Sequence, residues 1–163
     1  MKSIRLTSRM RIFCVLIAVL CTSLSGCKQS AVSLDVSGCA DALQKELTWQ
    51  DTLTKVEDRV WQALYSLTPE DVKQADVRMG TAATAEEIAV FEAADEAAAA
   101  RIRTALEQRV ADQTEAFTDY HPEELKKLGS PLLEVRDSYI VFCLTDDLSS
   151  AREVMEQQFK AAS

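Results

Sequence analysis

The chain has 163 residues, with 18 Lys and Arg against 26 Asp and Glu and a formal net charge of −8 at pH 7. That balance argues against nucleic acid, which wants clustered cations, and against a polybasic grip on anionic lipid. A single histidine excludes a metal site built on several imidazoles, and with only four glycines there is no glycine-rich phosphate loop.

Residues 1–11, MKSIRLTSRMR, carry Lys2, Arg5, Arg9 and Arg11 and no acid, and the apolar run 12–20, IFCVLIAVL, follows. A basic segment, then about 7–15 apolar residues, then small residues is the order of a secretory signal peptide. A membrane-spanning helix needs about 20 apolar residues, and this run turns polar at Thr22 and Ser23. It closes on Leu24-Ser25-Gly26-Cys27. These four residues resemble the lipobox of bacterial lipoproteins: an aliphatic residue, two small ones, then a cysteine. The resemblance implies that residues 1–26 are a lipoprotein signal peptide, cut off before Cys27, and that diacylglycerol is attached to the Cys27 sulfur. Two acyl chains, at about 0.8 kcal/mol per buried CH₂, give stable attachment. The expected location is the cell membrane, lipid-anchored on its extracytoplasmic face, with the membrane itself as a partner through Cys27. Loss of the four leader cations takes the formal charge from −8 to −12.

Residues 27–38 read as the lipidated cysteine and a short tether, spanning at most about 40 Å when extended. The remainder, 39–163, reads as one domain. Ala40, Leu43 and Leu47 have helical spacing, with Ser37 or Asp41 near the start. A second helical stretch, 57–67, aligns Val60, Trp61, Leu64 and Tyr65 on one face. Thr68-Pro69-Glu70-Asp71 has the hydroxyl, proline and acids of a helix start, which predicts a short helix to about Ala75. Alternation predicts strands at 77–79 and 87–92. Asp95 is placed to cap a long helix over 96–118, with Ile102, Ala105, Leu106, Val110, Gln113 and Phe117 inward and Arg101, Arg103, Glu107 and Arg109 off that stripe. His121-Pro122 breaks the chain before a turn of helix at 123–128, ended by Gly129. Residues 131–135 and 138–145 make a hairpin, whose second arm, SYIVFCLT, reads as a central strand covered on both faces. Asp146 or Asp147 caps a last helix with Ala151, Val154, Met155 and Phe159 inward. The fold class is therefore α+β: a small, mostly antiparallel sheet of about four strands packed against helices.

The stretch from Ser66 to Phe159 resembles an uncharacterised lipoprotein family of Gram-positive bacteria, the domain of unknown function 4358. The resemblance rests on EEIAVFEA, on RIRTALEQRVADQTEAFTDYHPEELKKL and on SYIVFCLTDD with the helix after it. His121 separates Tyr120 from Pro122 in the corner that ends the family's long helix. The resemblance implies a lipoprotein leader, as LSGC does independently, and it carries over no catalytic residue.

Cys14 and Cys21 fall in the leader, which leaves Cys39 and Cys143. They either form a bridge, closing a loop of about 100 residues worth up to about 4–5 kcal/mol, or remain as two buried thiols. His121 could serve either cysteine as a base, although its place beside Pro122 suits corner packing. Asp146-Asp147, Glu86-Glu87 and Asp95-Glu96 read as caps and solvated element ends rather than a cation site. Trp49, Trp61 and Tyr65 could form a stacking patch, but the spacing of the last two is that of core residues. With no cofactor, metal or catalytic set expected, the reading is a non-enzymatic binding or accessory module whose partner is an envelope protein or small ligand. A hydrolase working through scattered carboxylates and a structural self-associating protein are the alternatives.

Overall fold

The computed structural model describes residues 33–81 and 83–162. The leader, Cys27 and residues 28–32 of the expected tether lie outside the described residues. In chain order the elements are α1 (Val36–Glu46), β1 (Thr54–Lys55), α2 (Asp58–Tyr65), β2 (Val72–Met79), β3 (Glu87–Ala93), α3 (Glu96–Thr118), α4 (Leu125–Leu128), β4 (Leu132–Arg136), β5 (Tyr139–Leu144) and α5 (Leu148–Ala161). Single 3₁₀ turns at Pro69–Asp71 and Pro122–Glu124 precede β2 and α4.

The strands form one sheet in the order β1-β2-β3-β5-β4, every pairing antiparallel. The α+β class holds, and among the described residues the sheet has five strands. The addition is β1, a two-residue exposed edge whose Thr54 and Lys55 lie opposite Met79 and Arg78. Central β3 and β5 run in register from Glu87 opposite Leu144 to Glu92 opposite Tyr139. All six residues of β5 are buried, because helices cover both faces of the sheet, as the apolar run YIVFCL requires. The β4–β5 hairpin turns at Asp137, whose φ of 52° is left-handed, a conformation that aspartate tolerates better than most residues.

Alternation along β3 sorts the core into two halves. Ile88 and Val90 join Leu43, Val141, Cys143, Met155 and Phe159 under α1 and α5. Ala89, Phe91 and Ala93 join Trp61, Tyr65, Ile102, Leu106, Ile140 and Phe142 under α2 and α3. Phe91 makes T-shaped contacts with Trp61 and Tyr65 at centroid distances of 5.6 and 6.0 Å. At the boundary of the described segment, Ser33 N–H donates to the Ala162 carbonyl beyond the end of α5.

Several expectations are corrected. The helix predicted after Thr68 is a single 3₁₀ turn. Thr68 and Asp71 do form a capping box there, but the chain then enters β2 at Val72. Seven residues of β2 paired with β3 outweigh a local start signal followed by no apolar stripe. The first helix begins at Val36, inside the stretch read as tether. Asp35 is its cap, accepting from Gly38 N–H, and Leu34 and Val36 are already buried. On α2 only Trp61 and Tyr65 turn inward, while Val60 and Leu64 are 43% and 38% exposed. Glu86 and Glu87, read as solvated, are 2% and 1% exposed. Asp95 caps α3 as expected, accepting from Ala98 N–H at 2.7 Å.

Candidate functional site

Glu87 is the first residue of β3, and its side chain points with those of Ala89, Phe91 and Ala93 toward α3. A carboxylate at that position is taken out of water and needs donors. Tyr65 of α2 donates to Oε1 at 2.6 Å. From α3, Arg109 donates to Oε2 through Nε at 3.2 Å and Nη2 at 2.9 Å, and Gln113 donates through Nε2 at 3.4 Å. Arg109 and Gln113 are four residues apart and so lie on one face of α3. Burial raises the Glu87 pKa, and although the Arg109 charge and the three donors pull it back, it stays above the usual carboxylate value. Burial, then the Glu87 charge and hydrogen bond, push the Tyr65 phenol well above its own.

Glu86 belongs to a second network. Its carboxylate accepts from the backbone N–H of Gln50 and Asp51 at 3.0 Å and lies 3.5 Å from Lys127 Nζ. Lys127 in turn donates to both oxygens of Glu124 at 2.9 Å and lies 3.5 Å from Asp146. Glu124 also accepts from Ala85 N–H at 2.8 Å. Burial alone would lower the Lys127 pKa. The hydrogen bond to Glu124 and the charges of Glu86, Glu124 and Asp146 outweigh burial and raise it. The chain entering β3 is thus held to the segment before β1 by backbone hydrogen bonds and to α4 by an ion pair.

Between these networks, where β2 ends and the last turns of α3 pass, a cavity of about 700 Å³ opens, with Thr84, Glu87, Arg109, Asp112, Gln113 and Phe117 among its walls. Gly80, also in its lining, leaves room for the side chains of Asp51 and Thr84, since a Cβ there would meet Asp51 Oδ2 at 2.9 Å and Thr84 Oγ1 at 3.1 Å. Tyr120, 81% exposed, and His121 stand at its edge. Two buried side-chain atoms among the described residues have no hydrogen-bond partner, Gln113 Oε1 and Thr84 Oγ1, and both residues line this cavity. Such a concave space with a few converging polar groups and a shifted carboxyl has the character of a small-molecule site.

Chemically the site is better furnished for holding than for reacting. Both oxygens of Glu87 are engaged by Tyr65, Arg109 and Gln113, and Glu86 is engaged by two backbone N–H groups, with Lys127 close by. Carboxylates so engaged reach a substrate only by giving up these partners. No group of three or more His, Cys, Asp or Glu among the described residues could hold a metal ion.

The residues singled out in the sequence are scattered. Cys39 and Cys143 are free, buried thiols in the half of the core under α1 and α5. Burial pushes the Cys39 thiol up to about 12 and raises Cys143 as well. His121 pairs with Glu123 at 3.2 Å and packs on Phe117, so it serves neither cysteine. Asp147 caps α5, while Asp146 accepts from Gln50 Nε2 at 2.7 Å. Trp49 belongs with the α1 half of the core and Trp61 and Tyr65 with the α3 half, so the three form no common patch.

From the sequence Glu87 reads as a solvated element end, Arg109 as lying off the α3 stripe, and Thr84 only as part of a loop, so none of the three is expected at a site. One signal was legible: in EIAVFEA the glutamate shares its face with Ala89, Phe91 and Ala93, an acid at an inward position.

No curated protein and no solved structure matches the chain. The family model for a domain of unknown function, DUF4358, matches residues 45–145. That span runs from the end of α1 to the residue after β5 and contains the cavity.

Proposed function

The chain belongs to the DUF4358 family, a domain of unknown function, and we propose that it is a membrane-anchored bacterial lipoprotein whose domain is a non-enzymatic binding module at the cell envelope. The observation that carries the binding reading is the cavity beside Glu87, with two unpartnered polar atoms in its walls and buried carboxylates already engaged. Its volume, about 700 Å³, suits a small ligand better than a protein surface.

The anchor rests on LSGC and the leader before it. Acyl chains on Cys27 supply the attachment to the outer face of the membrane. No helix among the described residues is long and apolar enough to cross a membrane.

Two measurements test this reading. Cells fed an alkyne fatty acid should label the wild-type chain and place it in the membrane fraction, and Cys27→Ala should lose the label. Unchanged labelling of Cys27→Ala overturns the anchor. For the domain, saturation-transfer NMR of the detergent-solubilised chain against a mixed small-molecule library should give binders that Ala116→Trp excludes, since exposed Ala116 lines the cavity. A library without such binders overturns the binding module.

A further inference from the structure

The polar atoms of the cavity indicate what its ligand carries, an inference that rests on the binding reading above. Gln113 is 7% exposed. Its amide nitrogen faces Glu87 Oε2, which is an acceptor when ionised, so Oε1 is the end turned away. That oxygen has no donor, and neither has the second unpartnered atom, Thr84 Oγ1. A buried acceptor left in this state costs about 1–3 kcal/mol, which a donor on a ligand recovers.

The charges select among donors. Glu86, Glu87 and Asp112 line the cavity against Arg109, and Arg109 spends Nε and Nη2 on Glu87. Asp112 is exposed and accepts one hydrogen bond, from Gln108. Glu87 is compensated by Arg109 and Glu86 by Lys127, so the charge left facing a ligand is that of Asp112, which disfavours an anion. Phe117 and exposed Tyr120 add two aromatic rings to the lining, and the faces of such rings attract cations. An ammonium group brings three donors and no acceptor, matching two orphaned oxygens, a carboxylate and aromatic faces at once.

We propose that the cavity between α3 and the β2–β3 turn binds a small ammonium-bearing ligand, which donates to Gln113 Oε1 and Thr84 Oγ1 with its charge facing Asp112 and the rings of Phe117 and Tyr120. A neutral polyol satisfies the same two oxygens but forgoes the charge, so paired probes separate the two.

Isothermal titration of the detergent-solubilised full chain with putrescine against butanediol, and glucosamine against glucose, makes the comparison. At least one amine should bind about tenfold or more tighter than its hydroxyl counterpart. Asp112→Asn, an exposed isosteric change, should weaken that amine about fivefold and leave the neutral probe unmoved. Thr84→Val should weaken the amine without touching the Glu87 network. The proposal is overturned if the neutral probe binds as well as its amine, if Asp112→Asn leaves amine binding unchanged, or if neither amine binds up to about 10 mM. Equal binding of a neutral probe would remove the ammonium and leave the binding module standing. That broader reading falls only with the library.

Discussion

Lys127→Met should lower stability by about 3 kcal/mol at pH 7, the low end of the range of about 3–5 kcal/mol for stripping one partner from a buried ion pair. The Lys127 side chain is 1% exposed, and Glu86 and Glu124 beside it are 1% and 4% exposed. Methionine preserves most of the volume, so the loss is electrostatic. The backbone donors of Gln50, Asp51 and Ala85 stay in place and hold the cost at the lower end. With a urea slope of roughly 1.5 kcal/mol/M for a domain of this size, the midpoint should fall by about 2 M. The pH dependence is a second signature. In the wild type the Lys127 pKa is raised above 10.5. Its contribution is therefore fully present below the unfolded value and is lost only as pH rises through the folded one. In the variant, the buried carboxylates face no cation, so their charged forms carry an uncompensated cost that protonation relieves on acidification. The gap between the two proteins should accordingly narrow from pH 7 to about pH 5. Urea unfolding followed by tryptophan fluorescence measures both, since Trp49 and Trp61 report from opposite faces of the sheet. A loss under about 1 kcal/mol, or a gap that widens on acidification, would refute the reasoning.

Asp95→Ala should destabilise α3 by about 1 kcal/mol, with Asp95→Asn recovering most of it in the same urea assay. An equal loss in both variants would mean that the Ala98 N–H bond is not what Asp95 contributes. Cys39 and Cys143, buried with raised pKa values, should resist iodoacetamide in the native chain. After unfolding without reductant each should be alkylated, as mass spectrometry would read. A tryptic peptide pair joined through these two cysteines would contradict the free-thiol state.

How far the fold could be read in advance depended on how much of each element's stability is local. SYIVFCLT announced a doubly covered strand because burial on both faces leaves no place for a polar residue. The α3 stripe and its Asp95 cap were legible because 23 residues repeat the helical period. From the sequence β2 is limited to 77–79 because the start signature Thr68-Pro69-Glu70-Asp71 claims the residues up to Ala75, whereas pairing with β3 begins at Val72. β1 has two exposed residues and exists only as a partner of Arg78 and Met79. The site was the least legible part. Adjacent Glu86 and Glu87 look like a solvated pair, and their burial follows from which distant residues bring donors: Lys127 for one, Tyr65 and Arg109 for the other. Gln113 was placed inward from the period of α3, but its unpartnered oxygen depends on Glu87, 26 residues away.

The hydrogen bond from Ser33 N–H to the Ala162 carbonyl brings the entry and exit of the domain together. Both belong to the α1–α5 layer, whereas the cavity lies beneath α3 on the other side of the sheet. Whatever is fused at either end therefore emerges from a layer remote from the cavity mouth. The same adjacency suits the domain to circular permutation, since a short linker could join residues 33 and 162 while new ends are opened in an exposed loop.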